Sequence, residues 1–156
     1  MKTVILLLVV NVTYGQFFAP SLTTLYQDND LQPGTRYGID MKYFAIHDDK
    51  EYFFDWKYAY GENSQSDSDL LSFGFGCKTG YKLKYGAMMS AVGYRIVNYP
   101  ESTKDQYTAS VAFSPIVSYD LNKYFYVESG MMITAFQTGD FKVANSYFFS
   151  FGMRWF

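Results

Sequence analysis

The sequence predicts an all-β protein, an eight-stranded antiparallel up-and-down transmembrane β-barrel. Three observations predict it. Eight stretches alternate apolar and polar residues with a period of two, the apolar positions are crowded with aromatics, and no run reaches the roughly eighteen apolar residues of a membrane helix. Glu51 to Gly61, EYFFDWKYAYG, shows the pattern best: Tyr52, Phe54, Trp56, Tyr58 and Tyr60 share one parity, and Glu51, Asp55 and Lys57 the other. Successive side chains of a strand point to opposite faces, so one face meets an apolar medium and the other a paired polar interior.

Composition agrees. Of 156 residues 21% are aromatic, with 16 Tyr and 15 Phe, yet mean hydropathy is only -0.13. An alternating membrane barrel has this combination, because each lipid-facing residue is diluted by a polar neighbour. The length suits one domain. The formal charge is -2, so no nucleic-acid partner is expected. Cys77 is the only cysteine, which excludes an intramolecular disulfide; sharing parity with Phe73 and Phe75, it is expected in buried apolar packing.

The one continuous apolar run lies at the start, where Lys2 precedes Val4 to Val10 and the stretch Thr13, Tyr14, Gly15. That is the layout of a signal peptide over 1–15, cleaved after Gly15 to leave a barrel domain over 16–156. Losing Lys2 with it makes the mature chain more acidic.

The strands then follow in order. The first runs from Gln16 to about Tyr26, with Pro20 predicting an irregular or bulged start. After a turn rich in Asp, Asn, Pro and Gly, the second spans Arg36 to Ile46, with Tyr37, Ile39, Met41, Tyr43 and Ala45 on one face and Asp40 and Lys42 on the other. A short turn leads into the third strand, and pairing Ile46 with Glu51 sets Asp40 opposite Lys57 and Lys42 opposite Asp55. Opposite charges then match on one face while Met41 meets Trp56 and Tyr43 meets Phe54 on the other.

Gly61 to Ser68 reads as a polar loop before the fourth strand, Asp69 to Thr79, which turns Leu71, Phe73, Phe75 and Cys77 outward. In the fifth, Lys82 to Val97, the parity of Leu83 and Tyr85 disagrees with that of Val92, Tyr94 and Ile96, which predicts a β-bulge near Met88 and Met89. The sixth, Gln106 to Asp120, carries an apolar row from Tyr107 to Tyr119. At about 3.3 Å per residue and about 45° of tilt, that row covers about 28 Å, the height of a membrane's apolar belt with Tyr at each boundary. The seventh, Tyr124 to Phe136, sets Phe125, Val127, Met131 and Ile133 against Tyr126, Glu128 and Thr134. A loop over Gln137 to Ala144 precedes the eighth strand, Asn145 to Phe156, with Tyr147, Phe149, Phe151, Met153 and Trp155 on its apolar face.

Connections alternate long and short on this reading, which puts both termini at the short-turn end, as in an outer-membrane barrel. A soluble barrel would bury the aromatic face instead. Size decides against it, because an eight-stranded interior just fits ordinary side chains and could not take the outer aromatics of every strand. The lipid-facing belt is therefore Tyr52, Phe54, Trp56, Tyr58, Tyr107, Tyr119, Phe149, Phe151 and Trp155. The interior is expected to hold small residues such as Gly38, Gly74, Gly76, Gly130 and Gly152 around a charge network of Asp40, Lys42, Asp55, Lys57, Glu128 and Arg154.

A leader segment, eight alternating strands and the closing FSFGMRWF together resemble the small outer-membrane barrels of the OmpX, Ail and OmpA transmembrane-domain type. The resemblance implies the outer membrane of a Gram-negative bacterium, with outer-membrane lipid and the barrel-insertion machinery as partners. It also implies that Phe156 ends an assembly signal, although Phe156 shares parity with Arg154 and Gly152, not with Trp155.

No catalytic, cofactor-binding or metal-ligating set emerges. Paired charges in a narrow lumen predict a plug of salt bridges, with a narrow pore or small-solute conduit as the alternative. A lipid-modifying enzyme is a weaker reading. The lipid A deacylase barrels that this chain resembles in layout carry a His-x-Ser nucleophile arrangement, and the only histidine here, His47, sits in a solvated turn with Asp48 and Asp49. The expected function is non-enzymatic, a structural or adhesion role through acidic outside loops. Asp28, Asp30, Glu62, Asp67, Asp69, Glu101, Asp105 and Asp140 there leave an extracellular protein or divalent cations open as partners.

Overall fold

The structure, a computed structural model, describes residues 15–28, 34–62, 66–98, 106–138 and 140–155. They form eight strands: β1 Gly15–Asp28, β2 Gly34–His47, β3 Lys50–Glu62, β4 Ser66–Gly80, β5 Leu83–Asn98, β6 Gln106–Asp120, β7 Phe125–Thr138 and β8 Asp140–Met153. Each pairs antiparallel with the next, and β8 returns to β1, closing the barrel. Closure removes both sheet edges, so no backbone row is left to pair with another chain. The segment read as a leader lies outside the described residues except Gly15, which opens β1.

The β2–β3 hairpin has the register that its charges demand: Asp40 faces Lys57, Lys42 faces Asp55, Met41 faces Trp56 and Tyr43 faces Phe54. Its two-residue turn places Asp48 at a φ of 56°, a left-handed conformation that Asp tolerates better than most side chains.

Prolines mark where ladders pause. β1 pairs without a bulge to β2 through Pro20, but its pairing with β8 stops at Ser21–Gly152 and resumes only at Phe18–Trp155. Likewise β6 and β7 pair at Phe113–Ile133 and next at Ile116–Gly130, so Ser114 and Pro115 are skipped. Proline has no N–H to give, and each gap falls where that donor is missing. The irregular or bulged start expected at Pro20 takes the form of a gap in one ladder, without a bulge.

Three other expectations are corrected. No bulge interrupts β5: its pairing with β4 and with β6 keeps one register throughout. Val92 and Tyr94 consequently face inward with Met88, while Gly93 and Arg95 face outward. The mixed parity marks not a slip but an interior that takes apolar side chains at this height. The loops expected over Gly61 to Ser68 and Gln137 to Ala144 are largely strand, since Glu62 pairs with Asp67 and Thr138 with Asp140. Connection lengths therefore do not alternate simply between long and short. Polar sequence there does not end pairing, because a ladder needs only backbone groups. Cys77, finally, is half-buried on the outer face beside Phe75.

The interior also differs from the small-residue filling that the sequence suggests. Phe17, Phe44, Phe53, Tyr94, Tyr126 and Phe148 all point in and are buried. Glycines make this possible: a Cβ at Gly76 would strike the Phe53 ring, one at Gly130 the Phe148 ring, and one at Gly152 the Tyr126 ring. Gly152→Val should therefore drive Tyr126 out of place at a cost of about 1–3 kcal/mol. The denaturant midpoint of the refolded variant checks this, and an unchanged midpoint would refute the packing argument.

Candidate functional site

The barrel interior is where the charges meet. Inward positions near the chain-terminal rim are Glu51 on β3, Lys78 on β4, Lys84 on β5, Asp120 on β6, Tyr126 on β7 and Arg154 just past β8. One to three inward positions higher stand Asp40 and Lys42 on β2, Asp55 and Lys57 on β3, and Glu128 on β7. Period-two alternation turns each of them inward; closure brings them within reach of one another.

They form one connected chain of ion pairs. Lys57 lies 3.8 Å from Asp55 and 3.7 Å from Asp40, and Lys42 lies 3.2 Å from Asp40 and 2.6 Å from Glu128. Glu128 also takes Lys78 at 3.0 Å, and Lys78 reaches Glu51 at 3.6 Å. Glu51 then pairs with Lys84 and lies 3.7 Å from Arg154, and both cations close on Asp120, at 2.6 and 2.5 Å. Five carboxylates and five cations take part, so the network is neutral. Neutrality matters because an isolated charge in this space would bear a desolvation cost of several kcal/mol.

Hydroxyls and rings complete the shell. Asp40 accepts from Ser21, and the Ser150 hydroxyl lies 3.3 Å from Asp40 and 2.9 Å from the Thr23 hydroxyl. Lys78 stands 4.9, 5.7 and 5.2 Å from the ring centres of Phe44, Phe53 and Tyr126. Arg154 lies 5.4 Å from Phe17 and 5.1 Å from Tyr126, and Lys57 lies 4.2 Å from Phe148. Inward aromatics thus do more than fill space, since a ring face attracts a desolvated cation.

Above the charges the lining changes. Leu25, Ala59, Leu70, Val92, Ala112, Met132 and Ala144 come from seven strands and are all buried. Over them Arg36 donates to Gln27 at 2.5 Å and to Ser68 at 2.8 Å, with its guanidinium 5.8 Å from the Tyr94 ring centre.

Asp40, Lys42, Asp55, Lys57, Glu128 and Arg154 are all on the buried face, each 5% exposed or less. Glu51, Lys78, Lys84 and Asp120 join them, and parity was the signal for all four. On the outer face Tyr52, Phe54, Tyr58, Tyr119, Phe149, Phe151 and Trp155 are exposed and Trp56 is half-buried. The side chain of Tyr107 and all of Phe156 lie outside the described residues. His47 is exposed on the β2–β3 turn, 3.9 Å from Asp48.

A closed antiparallel barrel with aromatics outside and ion pairs inside has the fold of the small eight-stranded outer-membrane proteins. No protein-family model and no curated protein matches the chain. Solved structures do. Neisserial surface protein A matches with a TM-score of 0.65 at 14% identity, over 90% of this chain and 96% of that one. The N-terminal barrel of Pseudomonas aeruginosa OprF matches at 0.73 and 12% identity, over 89% and 97%. Ail, the attachment invasion locus protein of Yersinia pestis, in complex with a heparin analogue, matches at 0.60 and 10% identity, over 90% and 97%. What is shared at these identities is the fold.

Proposed function

We propose that the chain is a non-enzymatic outer-membrane barrel of a Gram-negative cell, exported by residues 1–15, whose lumen is plugged and whose far rim presents acidic residues to outside partners. The observation that carries the reading is the neutral ten-charge network beneath an apolar layer. Each cation in it already sits against a carboxylate, so a passing ion would have to break a buried pair to move on. The outward aromatics support the membrane assignment, since so large an exposed apolar surface would aggregate in water.

The rim opposite the chain termini carries Glu62, Asp67 and Asp69. Its acidity suits a basic protein surface or divalent cations better than a polyanion. A structural or adhesion role through this rim is the function proposed, with the insertion machinery and outer-membrane lipid as assembly partners.

Planar-bilayer recording of the refolded chain tests the plug. The expected trace shows no steady conductance steps above leak at neutral pH. Reproducible steps would overturn the plugged reading in favour of a narrow conduit.

A further inference from the structure

Two of the eight ladders are shorter than the rest, and both flank the same hairpin. Among the described residues β6 pairs with β7, and β8 with β1, through eight residue pairs each, whereas every other ladder has eleven to fifteen. Each short ladder is also broken at a proline, Pro115 on β6 and Pro20 on β1. Between them β7 and β8 pair without a gap from Phe125–Met153 to Thr138–Asp140. Backbone bonding therefore holds β7 to β8 more firmly than it holds either strand to the rest of the wall.

Side chains make good the difference. Glu128 on β7 reaches Lys42 on β2 at 2.6 Å and Lys78 on β4 at 3.0 Å, while Arg154, just past β8, reaches Asp120 on β6 at 2.5 Å and Glu51 on β3 at 3.7 Å. All four partners lie outside the hairpin. Its inward rings add to this, with Phe148 at 4.2 Å from Lys57 and Tyr126 at 5.2 Å from Lys78.

We propose that the β7–β8 hairpin is a latched strap, a unit that leaves the wall along both proline-broken seams together and that Glu128 and Arg154 hold shut across the lumen. The inference goes beyond the plugged reading and needs only the closed barrel, not a membrane around it. The two seams are where the wall opens first, because the fewest backbone bonds break there. The latch opposes that opening: undocking would leave the buried Lys42 and Lys78 without Glu128 and carry Arg154 away from Asp120. The ion pairs that fill the lumen are thus the ones that keep the wall closed.

Hydrogen exchange of the full chain refolded in detergent, read by mass spectrometry, tests the strap. Amides that bond across β6–β7 and β8–β1 should exchange about tenfold faster than those across β3–β4. Pro115→Ala, which returns an N–H to its ladder, should slow the β6–β7 seam about threefold. Glu128→Gln should speed both seams about tenfold and the β3–β4 ladder far less. Coupling between the seams distinguishes one strap from two frayed edges. Phe18 and Trp155 each donate a backbone N–H to the other's carbonyl, a pairing whose spacing accepts a disulfide. In a chain carrying Cys77→Ser, Phe18→Cys and Trp155→Cys, oxidation should slow exchange at the β6–β7 seam, on the far side of the hairpin, about fivefold. Equal exchange on all ladders, or a staple that protects only its own seam, would overturn the proposal. The gel shift between unboiled and boiled samples establishes that each variant is folded before its exchange is read.

Discussion

Glu128→Ala is expected to cost about 3–5 kcal/mol of folding stability. Glu128 is 1% exposed and bonds Lys42 at 2.6 Å through one carboxylate oxygen and Lys78 at 3.0 Å through the other. Removing it leaves two wholly buried ammonium groups around a void. Lys42 keeps Asp40 at 3.2 Å, and Lys78 keeps Glu51 at 3.6 Å and three ring faces. That residual support places the loss nearer the lower figure. The denaturant midpoint of the chain refolded into vesicles is the measurement. The paired variant Lys42→Met with Glu128→Met removes one charge of each sign and should recover much of the loss, because the penalty lies in imbalance and not in the absence of a salt bridge. A loss under about 1 kcal/mol for Glu128→Ala, typical of exposed pairs, would mean that the interior is wet and the plug is not as argued.

Phe113→Arg is the second large effect, about 2–4 kcal/mol, and it probes the opposite face. Phe113 stands at the centre of the outward row of β6, between Val111 and Pro115 on one strand and across from Met89 and Ile133 on its neighbours. It is 45% exposed. In water an arginine at so open a site would change stability by no more than about 0.5 kcal/mol. In a bilayer the same change sets a guanidinium at mid-depth. Depth dependence makes the test decisive: Tyr119→Arg, at the end of the same row, should cost only about 0–1 kcal/mol. Equal, small costs at both positions would remove the membrane from the account.

Parity was the most legible signal, and it was legible because a strand's side-chain period is two whatever the fold around it. It located eight strands, told the inner from the outer residue at nearly every step, and needed help from charge only at β2–β3, where a short turn and two opposite-charge pairs left one register. It misread β5 because Val92 and Tyr94 are apolar, and apolar was equated with outward. The interior broke that equation. Chain ends of strands were less legible: Ser, Gln and Thr at the rims look like loop residues, yet Glu62–Asp67 and Thr138–Asp140 pair.

The sequence by itself determined the fold class, the strand count and the face on which each charge of the lumen network stands. Only the tertiary structure decided which charges meet. Glu128 lies 86 residues from Lys42 and 50 from Lys78, on strands that are not neighbours of β7. Pairing rules reach only the adjacent strand, whereas contacts across a lumen depend on how far successive strands are staggered when the sheet closes. That stagger is a property of all eight registers together, and no single stretch of sequence carries it.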